Sequence, residues 1–201
     1  MLGFIVAAVA SYLLGSIPNG LILGKGIWGV DLRQHGSGNI GATNAWRTIG
    51  KAGGISIFFL DMLKGALSAY LGLSLGGGEL AGIVCGLLAI AGHSWSIFLG
   101  FKGGKGVATG LGVIATLMPW VTLIVFAVWL AIVKITGYVS LGSVVGAVLV
   151  PVLALAMGLH TDFMALGVIA AVFIVYRHKS NIGRLLNGTE SKIKSGHHHV
   201  K

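Results

Sequence analysis

The sequence contains little charge and a single cysteine. Asp, Glu, Lys and Arg make up only 9% of its 201 residues, whereas a typical soluble domain carries about 25%. Because 55% of the residues are hydrophobic, a soluble fold of this length could not bury the apolar surface, and the composition indicates a lipid environment. The lone Cys85 excludes an intrachain disulfide and is interpreted as a small packing residue within an apolar run.

Acidic residues are especially scarce: five Asp and Glu stand against fourteen Lys and Arg, which gives a net charge of +9. In a soluble protein this excess would suggest nucleic acid. Here the basic residues lie between apolar runs, so they predict orientation in a membrane, and no nucleic-acid partner is expected. Since no polar stretch is long enough for a second domain, residues 1–201 are expected to form one domain, with 195–201 a tag remnant or a tail without a role.

Apolar segments of membrane-spanning length recur along the chain. A helix needs about 20 apolar residues to cross a bilayer, and fewer where the bilayer thins or other helices shield it. The first segment lacks a basic flank and is therefore interpreted as a span rather than a cleaved signal peptide. Pro119 is predicted to separate the fourth span from the fifth, because proline ends or kinks a helix. The predicted spans are 3–24, 53–75, 79–100, 107–118, 120–134, 138–158 and 163–177.

The distribution of basic residues decides between six and seven spans. With seven spans and an external N-terminus, thirteen of the fourteen Lys and Arg face the cytoplasm, and the remaining one, Lys64, lies within a span. With six spans the basic tail would lie opposite the first two basic loops. The positive-inside rule therefore predicts an all-α integral membrane protein with seven transmembrane helices, an external N-terminus and a cytoplasmic C-terminus.

The first polar cluster covers residues 36–44 and is followed by Arg47. Its small residues let a ligand approach the backbone, whose N–H groups can bind an anion, and Arg47 offers a planar fork suited to phosphate. The alternative is a polar loop with a helix cap, since Ser, Thr and Asn are good N-caps. In that interpretation Asn39 and Asn44 brace the loop.

The second cluster places Lys102 and Lys105 beside glycines in a turn that enters a helix. A nucleotide P-loop requires Ser or Thr directly after its lysine, where this chain has Gly106, so a nucleotide is not indicated. The turn predicts a phosphate site, and the alternative is a basic turn that binds lipid headgroups. His93, just before the turn, either binds substrate or braces the third predicted helix.

The third cluster contains His178, Asn181 and Arg184 at i, i+3 and i+6, so a helix here would carry all three on one face. The alternative is a basic juxtamembrane helix that is attracted to anionic lipid. That interpretation explains the charges but does not require His178 or Asn181. The cluster therefore adds polar candidates to the other two.

Asp61 and Lys64 are two ionisable residues three positions apart within the second predicted span. At that spacing they share a helix face. Charged groups within a span indicate function by default, because an isolated charge in lipid is costly. The alternative is a structural ion pair that supports the loops.

The predicted topology brings all three polar clusters to the cytoplasmic face and indicates a site for a phosphate-bearing substrate beside the bilayer. Two other classes of protein compete with an enzyme. A phosphate or anion transporter would need polar or basic groups on the outside, where the loops are nearly featureless. A basic lipid-binding scaffold does not require His178 and Asn181 in helical phase.

These motifs, in this order and spacing across nearly the whole chain, resemble the bacterial glycerol-3-phosphate acyltransferases that use acyl phosphate as donor. The matching segments are 37–44, 61–65, 92–93, 101–109, 138–141, 177–178, 181–182 and 184–186. One departure is Trp95-Ser96, where an aromatic residue followed by proline is expected. The resemblance implies a seven-helix fold in the bacterial inner membrane, surrounded by lipid and with its active site facing the cytoplasm.

The resemblance also implies the reaction, in which a fatty acyl group passes from acyl phosphate to the 1-hydroxyl of sn-glycerol 3-phosphate. The products are lysophosphatidic acid and inorganic phosphate. No cofactor or metal is implied, and a single chain is expected to suffice. Because acyl phosphate is already activated, the enzyme need mainly align the reactants and stabilise charge.

Site residues are assigned on these motifs. The predicted catalytic residues are Ser37, Lys105, His178 and Asn181. The predicted substrate-binding residues are Gly38, Asn39, Gly41, Thr43, Asn44, Arg47, His93, Lys102, Gly103, Gly104, Gly106, Ser140, Ser143 and Arg184. We expect direct attack, with His178 or a substrate phosphate oxygen as proton acceptor, over an acyl-enzyme on Ser37. Glu190 is expected to brace the loops.

Overall fold

The computed structural model describes residues 1–193, and all regular secondary structure in this range is helical. Lys194 and the segment 195–201, interpreted above as a tag remnant or tail, lie outside the described residues. The helices are α1 (Leu2–Ser16), α2 (Asn19–Trp28), α3 (Ala42–Leu75), α4 (Glu79–Ser94), α5 (Val107–Leu117), α6 (Pro119–Thr136), α7 (Val139–Ala156), α8 (Thr161–Arg177) and α9 (Lys179–Leu186).

The first predicted span, 3–24, is a bent pair of helices. α1 and α2 meet at 42° around Ile17 and Pro18. Proline lacks an N–H group and clashes with the preceding turn, so the helix ends there. The carbonyl of Ile17, just beyond the end of α1, accepts hydrogen bonds from Lys64 Nζ at 2.9 Å and from the Asn19 backbone N–H at 3.1 Å. The predicted span 3–24 is therefore bent rather than one straight helix, and Lys64 supports the bend from within the protein.

α3 begins eleven residues before the predicted start at residue 53 and runs for 34 residues. Gly50 interrupts it with a φ of 87°, a conformation that glycine adopts without steric cost. The arm before Gly50 therefore forms a separate helical segment and carries Thr43, Asn44 and Arg47. These residues were expected in a loop, and the structure corrects that expectation.

Span length separates the helices into two groups. Four helices, α3, α4 (extended to Leu99), α6 and α7, are long and apolar enough to cross a membrane, and the bent pairs α1–α2 and α8–α9 raise the number to six. α5 has 11 residues and rises only about 16 Å, roughly half of the hydrocarbon core. The predicted break before Pro119 is confirmed, since α5 ends at Leu117 and α6 begins at Pro119.

The outer surface is apolar, as a lipid environment requires. Large side chains such as Val172 (67% exposed) and Leu123 (60% exposed) point away from the protein. A soluble monomer rarely exposes contiguous apolar patches of this kind. The helical composition and this surface together confirm an all-α membrane protein.

α3 and α5 cross at backbone contact. A side chain on Gly65 of α3 would collide with the carbonyl of Thr109, and one on Gly112 of α5 would collide with the carbonyl of Met62. Such close approach is typical of small residues at membrane helix interfaces. It brings the start of α5 and the turn before it alongside the middle of α3.

The departure at Trp95-Ser96 has a structural role. α4 ends at Ser94, and the Ser96 hydroxyl donates a 2.6 Å hydrogen bond to the carbonyl of Ser16, the last residue of α1. A proline at this position could not make that bond. Trp95 packs edge to face on Phe173 of α8 with ring centroids 5.0 Å apart. These contacts hold the loop after α4 between α1 and α8.

Candidate active site

A cavity of about 1020 Å³ lies between α3, α5, α6, α7 and α8 and extends to α9. One end is apolar and is lined by Phe58, Leu111, Val125, Phe126 and Trp129. The other end is polar and is lined by Ser37, Thr43, Arg47, Lys105, Arg177, His178, Asn181, Arg184 and Glu190. The three polar clusters of the sequence therefore meet at one end of a single cavity, as the predicted topology required.

The loop before α3 is organised by Asn44, which is only 2% exposed. Its Oδ1 accepts the Ser37 backbone N–H at 3.0 Å, while its Nδ2 donates to the carbonyls of Asn39 at 2.8 Å and Leu32 at 3.0 Å. These bonds favour the bracing interpretation of Asn44, although Asn44 also lines the cavity. The result is a rigid loop that presents Ser37 to the polar end.

The glycine turn before α5 is tied to the end of α4. The Gly103 N–H donates to the Ser94 carbonyl and the Gly104 N–H to the His93 carbonyl, both at 3.0 Å. The Gly103 and Gly104 carbonyls in turn accept Nη2 of Arg177 at 3.1 and 2.7 Å. These two N–H groups are therefore committed within the protein and do not face a ligand.

The first turn of α5 provides open N–H groups in their place. The first residues of an α-helix have N–H groups without an intrahelical partner, and a helix N-terminus attracts anions. Gly106, Val107 and Ala108 stand at this terminus and line the cavity. The N–H groups that are open to an anion are thus those at the start of α5, and not those of Gly103 and Gly104.

Glu190 accepts hydrogen bonds from three polar side chains at the polar end, and a fourth is linked to it through Asn181. Its Oε1 accepts Asn181 Nδ2 at 2.7 Å and the Ser140 hydroxyl at 2.8 Å, and its Oε2 accepts Arg184 Nε at 2.7 Å. The carbonyl oxygen of Asn181 accepts Lys105 Nζ. Because a carboxylate only accepts and an ammonium only donates, both ends of the Asn181 amide are fixed.

Electrostatics at this end depend on burial and on neighbouring charges. Burial lowers the pKa of Lys105 to about 8, with Glu190 opposing the shift and Arg184, Arg47 and Arg177 adding to it. Burial would raise the pKa of Glu190, but hydrogen bonds from Asn181, Ser140 and Arg184 outweigh it, and the pKa is lowered overall. Glu190 is therefore an anion at neutral pH. Lys105 is a cation at neutral pH and loses its charge as the pH rises through about 8.

His178 follows the last residue of α8 and is 3% exposed. Its Nδ1 lies 2.8 Å from the carbonyl of Ile174. Since a carbonyl only accepts, Nδ1 carries the proton and Nε2 is left as an acceptor. Burial, followed by the positive charge of Lys105, lowers the pKa of His178 to about 4. The neutral imidazole is therefore the form present at neutral pH.

The segment after α9 returns across the site. The Ser191 carbonyl accepts Arg47 Nη2 at 2.6 Å, and the Ile193 N–H donates to the Gly137 carbonyl at 2.9 Å. Residues 188–193 thus connect α3 with the turn between α6 and α7. Glu190, which sequence reasoning assigned only to loop bracing, is held in the site by this segment.

The predicted site residues divide by position. Those that line the cavity are Ser37, Asn39, Gly41, Thr43, Asn44, Arg47, His93, Lys105, Gly106, Ser140, Ser143, His178, Asn181 and Arg184. Gly38, Lys102, Gly103 and Gly104 lie outside its lining. Ser143 donates to the Val139 carbonyl of its own helix at 2.9 Å, so its hydroxyl proton is engaged. The role of each residue toward a substrate remains a prediction.

Asp61 and Lys64 form the expected pair on one face of α3, with Lys64 Nζ 3.0 Å from Asp61 Oδ1. The same oxygen accepts Asn19 Nδ2 at 3.0 Å, and Lys64 also holds the Ile17 carbonyl. These bonds support the structural interpretation, because they brace the bend between α1 and α2. Asp61 lines the cavity as well.

The fold and the cavity define a helical membrane protein whose cavity has a cationic end and an apolar end, the arrangement expected of an enzyme that handles a charged lipid. The family model described as glycerol-3-phosphate acyltransferase matches residues 5–188. The chain belongs to the glycerol-3-phosphate acyltransferase family and is an acyltransferase.

Individual relatives agree over nearly full length. The chain is 45% identical over 189 residues to the glycerol-3-phosphate acyltransferase of Desulforamulus reducens, covering 94% of each chain. It is 48% identical over 185 residues to that of Syntrophomonas wolfei, covering 92% of this chain and 94% of the relative.

Solved structures show the same fold. PlsY (YgiH), an integral membrane glycerol 3-phosphate acyltransferase, superposes in its glycerol 3-phosphate form with a TM-score of 0.88 at 40% identity, covering 94% of each chain. Its lysophosphatidic acid form superposes with a TM-score of 0.87 at 38% identity, covering 96% of each chain.

Proposed function

We propose that this chain transfers a fatty acyl group from acyl phosphate to the 1-hydroxyl of sn-glycerol 3-phosphate and releases lysophosphatidic acid and inorganic phosphate. The observation that carries the proposal is the single cavity with a cationic end and an apolar end. Both substrates bear phosphate, and one also bears an acyl chain. The forms in which PlsY (YgiH) was crystallised, with glycerol 3-phosphate and with lysophosphatidic acid, support the acceptor and the product.

The cationic end suits two phosphates. Arg47, Lys105 and Arg177 surround it together with the N-terminus of α5, and charge-assisted hydrogen bonds to phosphate are the strong ones. Ser37 and Thr43 add neutral donors from the loop before α3 and from its first turn. In this proposal the same groups stabilise the oxyanion that develops as the acyl carbon is attacked.

The reaction proceeds by direct attack. The 1-hydroxyl oxygen of glycerol 3-phosphate bonds to the acyl carbon, and the bond from that carbon to the bridging phosphate oxygen breaks, so phosphate leaves. The hydroxyl proton passes to Nε2 of His178, which the Ile174 contact leaves unprotonated, or to a substrate phosphate oxygen. General-base help of this kind is worth roughly 10²–10⁴-fold in rate.

An acyl-enzyme on Ser37 is the alternative. No histidine contact to the Ser37 hydroxyl occurs among the hydrogen bonds of residues 1–193, and an activated serine nucleophile needs an adjacent base. We expect no covalent adduct when the enzyme is mixed with acyl phosphate alone. Intact-protein mass spectrometry tests this, and an acylated Ser37 peptide would overturn direct transfer.

The membrane arrangement belongs to the same proposal. Seven crossings are reached when α1 and α2 count as one span and the short α5 as another, with the N-terminus outside and the polar end of the cavity in the cytoplasm. The positive-inside rule supports this orientation. A bacterial inner membrane is the expected location, and the chain is expected to form one domain and to act as a single copy.

Donor comparison tests the proposal directly. Purified protein is supplied with glycerol 3-phosphate and with acyl phosphate, acyl-CoA or acyl carrier protein carrying the same acyl chain, and lysophosphatidic acid is measured. We expect product with acyl phosphate only. Equal rates with a thioester donor would contradict the donor assignment. Phosphate uptake into proteoliposomes without any acyl donor would instead support an anion transporter.

A further inference from the structure

A buried chain of polar contacts connects the ion pair of α3 with the glycine turn before α5. Asp61, Lys64 and His93 are 3%, 5% and 5% exposed. Asp61 Oδ1 is fixed by Lys64 and Asn19, and it lies 3.7 Å from Nδ1 of His93. The proposed reaction uses none of these three residues, although Asp61 and His93 both line the cavity.

His93 stands between Asp61 and the turn. Its carbonyl accepts the Gly104 N–H at 3.0 Å, and its imidazole edge lies so close to Gly104 that a side chain there would collide with Nε2, Cδ2 and Cε1. The ring therefore touches the turn on one edge and faces the carboxylate with the other. Lys105, the next residue, carries the ammonium that faces the polar end of the cavity.

Nδ1 of His93 is a buried nitrogen without a hydrogen-bond partner in the part of the chain that the structure describes. A distance of 3.7 Å exceeds the range of a hydrogen bond, about 2.7–3.2 Å. A buried polar atom left without a partner is costly, so a state in which the contact closes is favoured. Catalytic hydrogen bonds are often long without substrate and tighten when the reactants bind, and the Asp61–His93 contact lies at the wall of the same cavity.

We propose that Asp61 is a positioning residue that acts through His93 on the Gly104–Lys105 turn, and that the Asp61–His93 contact closes to a hydrogen bond when glycerol 3-phosphate binds. The proposal rests on the proposed function only in that the turn carries Lys105 to the acceptor phosphate. The ion pair between Asp61 and Lys64 then has two roles. It braces the α1–α2 bend, and it fixes the position of the carboxylate that faces His93.

Two variants separate these tasks. Asp61→Leu combined with Lys64→Met removes the carboxylate without leaving a buried charge unpaired, and replacing both members of a buried ion pair by apolar residues is often tolerated. Lys64→Met alone removes the ion pair but keeps Asp61 beside His93. Ser11→Val disturbs the buried contact between α1 and Ser68 of α3 and serves as a control for loosened packing.

Steady-state kinetics are measured on folded, purified protein. We expect the double variant to raise KM for glycerol 3-phosphate about tenfold, as for other directly coupled residues, with a smaller change in kcat. Lys64→Met and Ser11→Val are expected to lower thermal stability and to leave KM within about twofold, the size of a few tenths of a kcal/mol. A wild-type KM in the double variant, or an equal rise in Lys64→Met, would overturn the proposal.

Nuclear magnetic resonance of ¹⁵N-histidine-labelled protein gives a second readout that needs no acyl donor. On addition of glycerol 3-phosphate alone, the wild type is expected to show His93 protonated at Nδ1, with a downfield proton that the double variant lacks. Identical His93 signals in the two proteins would contradict the proposal. Absence of turnover with acyl phosphate would instead refute the donor assignment and leave this readout intact.

Discussion

Replacement of Glu190 by glutamine should shift the pH dependence of the enzyme. Glu190 is the anion that opposes the lowering of the Lys105 pKa, which burial and three arginines bring to about 8. Glutamine can still accept from Asn181 and Ser140 through its carbonyl oxygen, but it carries no charge. The pKa of Lys105 in Glu190→Gln is therefore lower than in the wild type.

The size of the effect follows from the wild-type value. The lysine pKa is lowered in the folded protein, so the cation is present below the folded pKa and is lost as pH rises through it. With a pKa of about 8, the charged fraction is about 90% at pH 7, half at pH 8 and about 10% at pH 9. If phosphate binding needs the cation, kcat/KM for glycerol 3-phosphate falls about tenfold from pH 7 to pH 9.

The assay is kcat/KM for glycerol 3-phosphate between pH 6 and 9.5, because this parameter reports groups of the free enzyme. In Glu190→Gln the alkaline decline should begin at lower pH. Arg184→Gln is the matched comparison, since Arg184 lowers the Lys105 pKa, and its removal should move the decline to higher pH. Unchanged profiles in both variants, or shifts in the same direction, would refute the role of Lys105 as the titrating cation.

Three further changes test other parts of the cavity. His178→Ala should lower kcat about 100-fold if Nε2 accepts the proton, and a loss below threefold would favour a substrate phosphate oxygen. Gly104→Ala should weaken glycerol 3-phosphate binding, measured by titration, because the added methyl group would collide with His93. Gly183→Ala, in open space on α9, is the control and should bind as the wild type does. Gly146→Leu should slow long-chain donors more than short ones, because Gly146 lines the cavity beside Val125; equal loss for all chain lengths would place the acyl chain elsewhere.

The meeting of the three polar clusters at one site could be predicted from the sequence because it depends on two simple regularities. Basic residues sort to one side of a membrane, and the spacing of Asn181 and Arg184 is that of one helix face. In the structure Lys105 of the second cluster and Asn181 and Arg184 of the third line the same cavity as Ser37 of the first. Pro119 likewise marked a helix boundary correctly, since a missing N–H group acts locally.

The bend between α1 and α2 and the helical arm of α3 before Gly50 were not predicted, because hydropathy carries no information on backbone geometry. Pro18 lies in an apolar run that reads as one span, yet it bends the chain by 42°. The arm of α3 around Thr43 and Arg47 is polar, so it read as a loop, although it is a helix that ends at the Gly50 kink. In both places the structure depends on one residue's φ or N–H group rather than on composition.

The role of Glu190 could not be derived from its neighbours in sequence. Its partner Ser140 is 50 residues away, and the segment that carries it is short and irregular. A single acid after a basic helix suggests only bracing. That it fixes Asn181, and through Asn181 the position of Lys105, depends on the return of residues 188–193 across the site.

Binding of glycerol 3-phosphate to purified protein without acyl donor tests the central claim, that the cationic end of the cavity holds the acceptor phosphate. Isothermal titration at pH 7 compares the wild type with Lys105→Met and with Lys134→Met, an exposed lysine at the end of α6. Loss of one charge-assisted bond of about 1.5–3 kcal/mol should weaken binding at least tenfold in Lys105→Met and leave Lys134→Met unchanged. Wild-type affinity in Lys105→Met would contradict the claim.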